Sequence, residues 1–364
     1  MTAPFLILHD YFESLEGGGR LCSLLAHHRP SAIAYGFAKE NHPFLQGINR
    51  QHNLHANSNI PLWRQFKLAR AFQQRTVFIK DYDTLLYSGF YTPLAVVQHP
   101  HARHFLYCHT PPRFIYDQYD FYLSQTPRPL RFALQAFIRY LQPRYETAIN
   151  NMTQILTNSH NVQKRIQHYL GKPATVIYPP CDTKQFKWLA QGDYYLSLAR
   201  LDPLKRVDKI IQAFLKMPDK RLIVASGGQE LGRLRNLANG ANNIQLTGWL
   251  EERALQSLLG NAIATLYLAK DEDFGMSPVE SMAAGKPVIG VAEGGLVESI
   301  LPERTGLLLP ADFTIEMICD AVCTLSPANA LDLRKACEQQ AKKFDITVFL
   351  QAMDKIIYKK TSIK

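Results

Sequence analysis

A strand, a loop, a helix and a second strand follow one another in the second half of this chain, and this order constrains the fold more than any other feature. The apolar run over residues 262–269 predicts a buried parallel strand, and an acidic loop with Gly275 follows it. Ser277 suits an N-cap and Pro278 the first helical position, while Gly285 closes the helix before the next strand. The loop therefore lies at the amino end of a helix, where unpaired backbone N–H groups attract an anion such as a phosphate.

Two carboxylates bracket this loop, with seven residues between them. Glu272 lies in the loop, where a ligand could reach it, and Glu280 lies in the first turn of the predicted helix. Ser277-x-x-Glu280 is also a capping box, which would by itself place a glutamate at that position. The acidic residues around Glu272 could equally form a solvated loop. A second glycine loop, over residues 293–295, precedes the next predicted helix.

The segment E-D-F-G-M-S-P-V-E over residues 272–280 resembles the E-x7-E signature of the retaining glycosyltransferases of family 4, also called group 1, which have the GT-B fold. The following M-A-A-G-K-P-V-I and E-G-G match the same part of that family. The resemblance implies that Glu272 contacts the sugar of a nucleotide-sugar donor and that Glu280 binds the ribose hydroxyls. It further implies contacts with the donor's sugar and diphosphate from the backbone N–H groups of Phe274, Gly275, Met276 and Ser277.

A glycine loop is also predicted between the first strand, residues 5–8, and the first helix, residues 21–28. It contains Gly17, Gly18 and Gly19, which would let another group approach the backbone closely. It is not G-x-G-x-x-G, and a plain glycine turn is the alternative interpretation. H-D-Y-F followed by G-G-G resembles the family's first strand and loop, which implies that the glycines contact the donor phosphates and the acceptor. Arg20 stands where the family usually has an acidic residue.

His109 ends a predicted strand within C-H-T-P-P-R, and the prolines force an extended exit from the sheet. A single histidine of this kind often has only a structural hydrogen bond. The segment, followed by Tyr116 and Asp117, resembles the H-T-P segment of bacterial polysaccharide mannosyltransferases in family 4. That resemblance implies that His109 lies against the transferred sugar.

In the second half, Arg200 ends a predicted strand and Lys205 opens the predicted next helix. A cation at a helix start opposes the helix dipole, and such a violation of a local rule is expected at functional sites. The segment resembles the family's G-R-x-x-x-x-K, with Ala199 in place of glycine, which implies that both cations stabilise the leaving diphosphate. Arg206 is interpreted as a solvated side chain. Trp249 and Leu250, after another strand end, match the family's segment near the nucleotide base.

The alternation of apolar strands and amphipathic helices predicts an α/β protein of two doubly wound, Rossmann-like parallel-sheet domains facing a central cleft, as in GT-B. The predicted domains are residues 1–182 plus 346–364 on the acceptor side and residues 183–345 for the nucleotide sugar. The predicted strands are residues 5–8, 32–37, 84–88, 105–108, 154–158, 175–178, 195–198, 222–225, 244–246, 263–268, 288–291 and 306–309.

Charge is unevenly distributed along the 364 residues. Residues 1–180 carry 18 Lys and Arg against nine Asp and Glu, whereas residues 181–364 carry 23 against 22. The basic first half suits an anionic membrane surface or a phosphate-bearing acceptor, and no nucleic-acid motif is present. Residues 61–75 predict a basic amphipathic helix with Trp63, which could lie on a membrane or simply pack on the sheet. Residues 1–8 predict a first strand rather than a signal peptide, so a cytoplasmic protein is expected, peripheral at the inner membrane face in one interpretation.

The six cysteines lack a C-x-x-C pair and are expected to be reduced. No cluster predicts a metal, and no cofactor is expected beyond the nucleotide sugar, linked to GDP or UDP, as co-substrate. The predicted reaction is metal-independent transfer of a sugar, mannose from GDP-mannose as first choice, to a glycan or lipid-linked acceptor in bacterial surface polysaccharide synthesis such as lipopolysaccharide or capsule. The alternatives are a UDP-sugar-dependent transferase, a nucleotide-sugar epimerase or phosphorylase-like enzyme on a similar fold, and a non-catalytic scaffold.

Overall fold

Parallel β-sheets form the centre of both halves of the chain in a computed structural model, which describes residues 5–358. The first unit comprises the described residues up to Tyr178 together with those from Leu350 onward, and the second unit is Pro179–Phe349. Residues 1–4 and 359–364 lie outside the described residues. The first group begins the segment predicted to be a strand rather than a signal peptide, and the second ends the first predicted domain.

The first unit contains a seven-stranded sheet in the order β3-β2-β1-β4-β5-β6-β7, with every pair parallel. The order reverses beside β1, which makes the sheet doubly wound as predicted. The strands are β1 Phe5–His9, β2 Ala32–Tyr35, β3 Gln51–Asn53, β4 Thr84–Ser88, β5 Arg103–Cys108, β6 Gln154–Thr157 and β7 Thr175–Val176. Because β1, β4 and β5 are buried on both faces, they consist mostly of Leu, Ile, Phe and Tyr.

The helices of the first unit cover the faces of this sheet. They are α1 Gly17–His28, α2 Trp63–Gln74, α3 Tyr119–Gln125, α4 Arg128–Asn150 and α5 His160–Leu170, with short 3₁₀ helices at Pro43–Leu45, Val77–Asp81 and Thr92–Gln98. The apolar spacing predicted for α2 places Leu68, Ala69 and Phe72 in the core of the unit. Ser159 caps α5, its Oγ accepting from the Val162 N–H at 3.0 Å.

The strand β3 was not predicted because it has no apolar residue to mark it. Its three residues are polar, and within residues 5–358 only β2 pairs with it, at the edge of the sheet. An edge strand of this kind is held by backbone hydrogen bonds rather than by burial, so its sequence carries no periodic signal.

The second unit contains a six-stranded parallel sheet in the order β10-β9-β8-β11-β12-β13. Its strands are β8 Tyr194–Ser197, β9 Arg221–Val224, β10 Ile244–Leu246, β11 Thr265–Leu266, β12 Val288–Val291 and β13 Gly306–Leu309. The strand β11 is shorter than predicted, but backbone hydrogen bonds from Ile263 to Tyr194 and from Tyr267 to Ile289 continue the pairing beyond its ends. Both sheets are therefore parallel and doubly wound, which confirms the predicted fold class.

Nine helices belong wholly or partly to the described residues of the second unit. They are α6 Val207–Leu215, α7 Leu231–Leu237, α8 Glu252–Asn261, α9 Met276–Ala283, α10 Leu296–Ser299, α11 Ile315–Thr324, α12 Pro327–Asp332, α13 Arg334–Ala341 and α14 Ile346–Ile357, with 3₁₀ helices at Pro203–Lys205 and Lys342–Phe344.

The last helix, α14, ends in the first unit. Asp354 accepts from the Arg29 side chain at 2.9 Å, and the carbonyl of Ile357 accepts from Arg103 at 3.0 Å. Among residues 5–358, no helix combines the length and the apolar character needed to cross a bilayer.

Candidate functional site

The helix after the acidic loop starts earlier than the sequence predicts. Gly275, with φ of +87°, is its N-cap, and Met276 is its first residue. Ser277 and Pro278 are therefore the second and third helical residues rather than the N-cap and first position. Proline is tolerated there because the first four N–H groups of a helix have no intrahelical partner. A Cβ on Gly275 would lie only 2.7 Å from Leu296 Cδ2, so glycine alone fits where the chain turns.

The capping box predicted for Ser277 and Glu280 is not formed. The helix has no side-chain cap hydrogen bond, and the carbonyl of Ser277 instead accepts from Ser281 Oγ at 2.8 Å. Helix capping therefore does not explain why a glutamate stands at position 280. Gly275 has no side chain that could cap the helix, and the start of α9 presents the backbone N–H groups and the positive dipole end that favour an anion.

Three side chains meet beside this helix start. Lys205 Nζ lies 2.5 Å from Glu272 Oε2 and 3.3 Å from the Tyr267 hydroxyl, and that hydroxyl donates to Glu272 Oε2 at 3.0 Å. Burial and the neighbouring Glu272 carboxylate raise the pKa of Tyr267 well above its usual value, so it stays a neutral donor. The sequence suggested roles for Lys205 and Glu272 but neither their pairing nor Tyr267.

The backbone around Lys205 also differs from the prediction. Lys205 ends the 3₁₀ helix Pro203–Lys205, which Asp202 caps by accepting from the Leu204 N–H at 3.0 Å. The following helix α6 begins only at Val207. Lys205 is therefore not at the start of α6, and the argument from an opposed helix dipole does not apply to it.

Arg200 lies in the loop after β8 and is exposed, with 61% of its side chain accessible. Its Nε donates to Asp202 at 3.2 Å. The structure thus pairs Arg200 with Asp202 and Lys205 with Glu272. The two residues predicted to stabilise the leaving diphosphate therefore have separate carboxylate partners.

Arg206 is not a solvated side chain, contrary to the sequence interpretation. Its Nε donates to the carbonyl of Leu268 at 2.7 Å, and its guanidinium forms an ion pair with Glu293. Burial lowers its pKa, with the charge of Asp271 acting in the opposite direction. The sequence interpretation was wrong because the partners of Arg206 are 62 and 87 residues away along the chain.

The second glycine loop contacts the first. A Cβ on Gly294 would lie 2.4 Å from the carbonyl oxygen of Glu272, and the Gly295 N–H donates to the same oxygen at 2.8 Å. The helix α10 begins after Gly295 as predicted. The two glycines therefore let residues 293–295 support the backbone that carries Glu272.

The residues predicted near the nucleotide base lie at the carboxyl edge of β9 and β10. Trp249 is 70% exposed, and a Cβ on Gly227 would lie 2.4 Å from its Nε1. The indole therefore rests on the glycine backbone and offers a flat face, while Leu250 beside it is partly exposed. Phe274 is buried and its ring lies 5.4 Å from that of Phe344, so only its backbone remains for the predicted donor contact.

In the first unit, polar residues meet at the carboxyl ends of three neighbouring strands. His9 ends β1, Ser88 ends β4 and His109 follows β5. His9 Nδ1 lies 2.9 Å from the carbonyl of Ser88, and Ser88 Oγ lies 2.9 Å from His109 Nε2. A Cβ on Gly18 would lie 3.2 Å from His9 and 3.3 Å from His109. His9 and Ser88 were missed, although a polar residue that ends a buried apolar strand is a usable signal.

Both imidazoles of this cluster are neutral at physiological pH. Burial lowers the pKa of His9 to about 3, with the nearby His109 contributing, and burial lowers the pKa of His109 to about 4. Since a carbonyl only accepts, His9 Nδ1 carries the hydrogen and its Nε2 is an acceptor. The carbonyl of His109 is held by Asn158 Nδ2 at 2.9 Å.

Asp10, next to His9, is a further polar residue that the sequence did not single out. Its buried carboxylate accepts from the N–H groups of Phe90, Tyr91 and Thr92 at 2.6 to 3.1 Å. Burial raises the pKa of Asp10 to about 6, and the three hydrogen bonds oppose that rise. Asp10 therefore satisfies the N–H groups at the start of the 3₁₀ helix Thr92–Gln98 from within the protein.

The three glycines predicted as a loop lie in the first turn of α1. Gly18 contacts the two histidines as described, and a Cβ on Gly19 would lie 3.2 Å from Phe44. A Cβ on Gly17 would meet nothing within 4 Å. The helix forms despite three glycines because its later residues Leu21, Cys22 and Leu25 are buried.

Across residues 5–358, no three His, Cys, Asp or Glu side chains are grouped as metal ligands. None of the six cysteines, all of which lie within the described residues, forms a disulfide, and four of them are buried.

Residues 182–344 match the family described as Glycosyl transferases group 1. The alpha-1,3/1,6-mannosyltransferase ALG2 of Dictyostelium discoideum is 25% identical over 257 residues, which cover 57% of this chain and 61% of that protein. The human GDP-Man:Man(3)GlcNAc(2)-PP-Dol alpha-1,2-mannosyltransferase is 24% identical over 221 residues, 51% of this chain and 45% of that protein. The matches thus span less than two thirds of either relative.

The fold is similar to that of HepE from Anabaena, solved in complex with UDP-glucose, with a TM-score of 0.76. The match covers 98% of this chain and 100% of that one at 16% sequence identity, so it shows the GT-B fold alone. Together with the matched region of the second unit, it supports the resemblance found in the sequence: residues 182–344 match the group 1 glycosyltransferases, and the chain has the fold of GT-B enzymes.

Proposed function

We propose that this protein transfers a sugar from a nucleotide-sugar donor to a hydroxyl of an acceptor, with retention of the anomeric configuration. The observation that carries the proposal is the cluster of Lys205, Tyr267 and Glu272 beside the start of α9. A cation and the backbone N–H groups of a helix start suit a diphosphate, and a carboxylate beside them suits sugar hydroxyls.

In this proposal, catalysis rests on positioning the donor and on stabilising the diphosphate as it departs. Lys205 and the N–H groups of Met276 and Ser277 supply that stabilisation, and the exposed Arg200 adds a second cation. Glu272 contacts the transferred sugar and Glu280 the ribose. Trp249 offers the nucleoside base a flat surface, which its high exposure supports.

Mannose from GDP-mannose is the first candidate donor. Two of the relatives are named mannosyltransferases, and one of those names includes GDP-Man. A UDP-linked sugar is the second candidate, because the structurally similar HepE was solved with UDP-glucose.

The proposed acceptor is a glycan or lipid-linked saccharide of bacterial surface polysaccharide synthesis, such as lipopolysaccharide or capsule. The protein would then act in the cytoplasm, peripherally at the inner membrane face. The charge excess of residues 1–180 supports a phosphate-bearing acceptor or an anionic surface. We further propose that His109, held neutral beside Ser88, takes part in the transfer.

The deciding experiment is a panel of nucleotide sugars, read by melting temperature and by slow donor hydrolysis. A donor that binds the folded state raises the melting temperature by mass action. We expect GDP-mannose to give the largest shift together with release of GDP. Release of an epimerised sugar would indicate the epimerase, and a shift without turnover, with or without added acceptors, would indicate a non-catalytic scaffold. No shift with any donor would contradict the proposal.

We also propose that turnover needs no divalent metal, because the leaving diphosphate would be neutralised by Lys205, Arg200 and the helix start. Donor hydrolysis is expected to be the same with and without EDTA. Activity abolished by EDTA and restored by magnesium or manganese would contradict this.

A further inference from the structure

Arg206 adopts a backbone conformation that favours glycine. Its φ of +53° and ψ of 32° lie in the left-handed region, between the 3₁₀ helix Pro203–Lys205 and α6. Only 12% of its side chain is accessible. A residue with a Cβ is strained in this conformation, and such strain persists where the side chain serves a purpose that glycine could not serve.

The side chain of Arg206 joins three separate segments of the second unit. It donates to the carbonyl of Leu268 after β11 at 2.7 Å and to that of Ala311 after β13 at 3.4 Å. Its guanidinium pairs with Glu293 after β12 and lies 5.0 Å from the centre of the Phe313 ring. The planar fork of an arginine can satisfy several acceptors at once, whereas the ammonium of a lysine acts as a point charge.

Glu293 begins the loop that supports the backbone of Glu272. The Gly295 N–H donates to the Glu272 carbonyl, and Gly294 fits against the same carbonyl only because it lacks a Cβ. Lys205, next to Arg206, binds the Glu272 side chain directly. Two consecutive residues thus hold Glu272 in place. Lys205 binds its carboxylate directly, and Arg206 supports its backbone through Glu293 and the loop that follows.

We propose that Arg206 is a positioning residue that, through Glu293, fixes the loop over residues 293–295 and so places Glu272 and the start of α9 for the diphosphate-bearing donor. The inference about the donor rests on the proposed function, whereas the placement of the two loops does not. In this proposal Arg206 acts through Glu293 and does not itself contact the donor or the reacting atoms.

The test uses the full chain with Arg206→Gly, because glycine adopts the left-handed conformation freely and the fold should be retained. We expect hydrogen exchange to become about fivefold faster in peptides that cover residues 271–277 and 293–296, since local opening governs exchange there. We expect the affinity for GDP or UDP, measured by calorimetry, to fall about fivefold to tenfold, a typical effect of a residue that acts through others. Lys209→Ala is the matched control, because Lys209 lies 4.6 Å from the same Phe313 ring without a contact to Glu293.

Two further variants separate positioning from general stability. Glu293→Gln should reproduce both effects, and the double variant with Arg206→Gly should be no worse than either single one, because the two residues act as a pair. Millimolar guanidinium should restore nucleotide affinity in Arg206→Gly, since it can occupy the space left by the side chain, and should not alter Lys209→Ala.

Unchanged exchange in residues 271–277 and 293–296 of Arg206→Gly would overturn the positioning role, whatever the nucleotide affinity. Exchange that rises equally in Lys209→Ala, or additive losses in the double variant, would also overturn it. If the wild-type protein binds neither GDP nor UDP but Arg206→Gly shows the expected exchange, the placement of the loops stands and the proposed function fails.

Discussion

Lys205 and Glu272 form an ion pair that is largely shielded from water, with 19% and 16% of their side chains accessible. Such a pair contributes little net stability, because desolvation offsets much of the attraction, but loss of one partner leaves the other charge uncompensated. A lysine held beside a carboxylate and a tyrosine is also ready to meet a phosphate oxygen without reorganisation. The pair is therefore better explained by binding than by stability.

We expect Lys205→Ala to lower the rate of donor turnover by about 10²-fold to 10³-fold, the usual effect of removing one group that stabilises developing charge. Arg200→Ala should lower it by about tenfold, because that side chain is exposed and water can partly replace it. Turnover of GDP-mannose measures both, and thermal unfolding checks that the fold is retained. Unchanged turnover in both variants would exclude the proposal that these two cations stabilise the leaving diphosphate.

Because His9 and His109 of the first unit are neutral when folded, we expect the free energy of unfolding to decrease in acid. The folded-state pKa values of His9 and His109, about 3 and about 4, lie below the ordinary value of 6.5. Below pH 6.5 the unfolded chain takes up protons that the folded chain does not, at about 1.4 kcal/mol per pH unit for each histidine. Asp10 acts in the opposite direction, since its pKa is raised to about 6 from 3.8, but it offsets only one of the two histidines.

The free energy of unfolding should therefore fall as the pH decreases from 6.5 towards 4, by about 1.4 kcal/mol per pH unit from these three groups once Asp10 also protonates below pH 6. His109→Gln, which keeps a hydrogen-bonding group for Ser88, should make this fall less steep. Urea unfolding at several pH values measures it, with the exposed His168→Gln as the matched control. A slope that is the same in wild type and His109→Gln would contradict the assignment.

At the scale of elements, the sequence predicts type more reliably than position. Apolar runs identify the buried strands, and Gly285, with φ of +68°, ends α9 as predicted. The start of α9 was predicted two residues too late. Serine is favoured at an N-cap and proline in the first turn, but both residues are also tolerated at the second and third helical positions. The structure resolves the choice through a tertiary contact, the packing of Leu296 against Gly275, which no local pattern contains.

Gly275→Ala tests whether this turn shapes the anion site. A Cβ at φ of +87°, 2.7 Å from the buried Leu296, should destabilise the protein by about 1–3 kcal/mol and weaken nucleotide binding. Gly232→Ala is the matched control, because Gly232 lies exposed in α7 with nothing near its Cβ position, and alanine there should stabilise by about 0.5–1 kcal/mol. Thermal unfolding and calorimetry with GDP and UDP measure both effects. A Gly275→Ala protein as stable as wild type would contradict the assigned strain.

At the scale of the whole molecule, the doubly wound sheets follow from the sequence, because parallel strands buried on both faces leave long apolar runs. The residues of the candidate site also follow in part, since Glu272, Lys205 and His109 lie at strand ends or in the loops after them. Their partners do not follow, because Tyr267 meets Lys205 and Ser88 meets His109 only through the pairing of strands that are distant along the chain. Arg206 and its partner Glu293 are likewise 87 positions apart. The distribution of charge between the two halves needs no tertiary structure, because it is a count of residues along the chain.

That charge distribution leads to the last prediction, which concerns the helix α2. Its buried face packs on the sheet, yet Trp63 remains 49% accessible beside cations at positions 64, 67 and 70. Arg64 pairs with Glu13 at 2.8 Å and Lys67 donates to the Asn57 carbonyl at 2.6 Å, so both side chains are anchored near the surface that carries the indole. Each cation close to an anionic lipid surface contributes about 1 kcal/mol, and salt screens that attraction over about 8 Å.

We therefore expect salt-sensitive binding to vesicles that contain anionic lipid, and weaker binding when Arg64, Lys67 and Arg70 are all changed to Glu. Co-sedimentation at low and high salt measures it. The matched control changes Lys335, Lys342 and Lys343 to Glu, which reverses the same number of charges at exposed positions of the second unit. If net charge alone governs binding, both triple variants lose it equally; if the α2 surface governs it, only the first one does. Equal binding to neutral and anionic vesicles would show that charge attraction does not drive the association. Binding to neither would leave a soluble phosphorylated acceptor as the explanation of the basic surface.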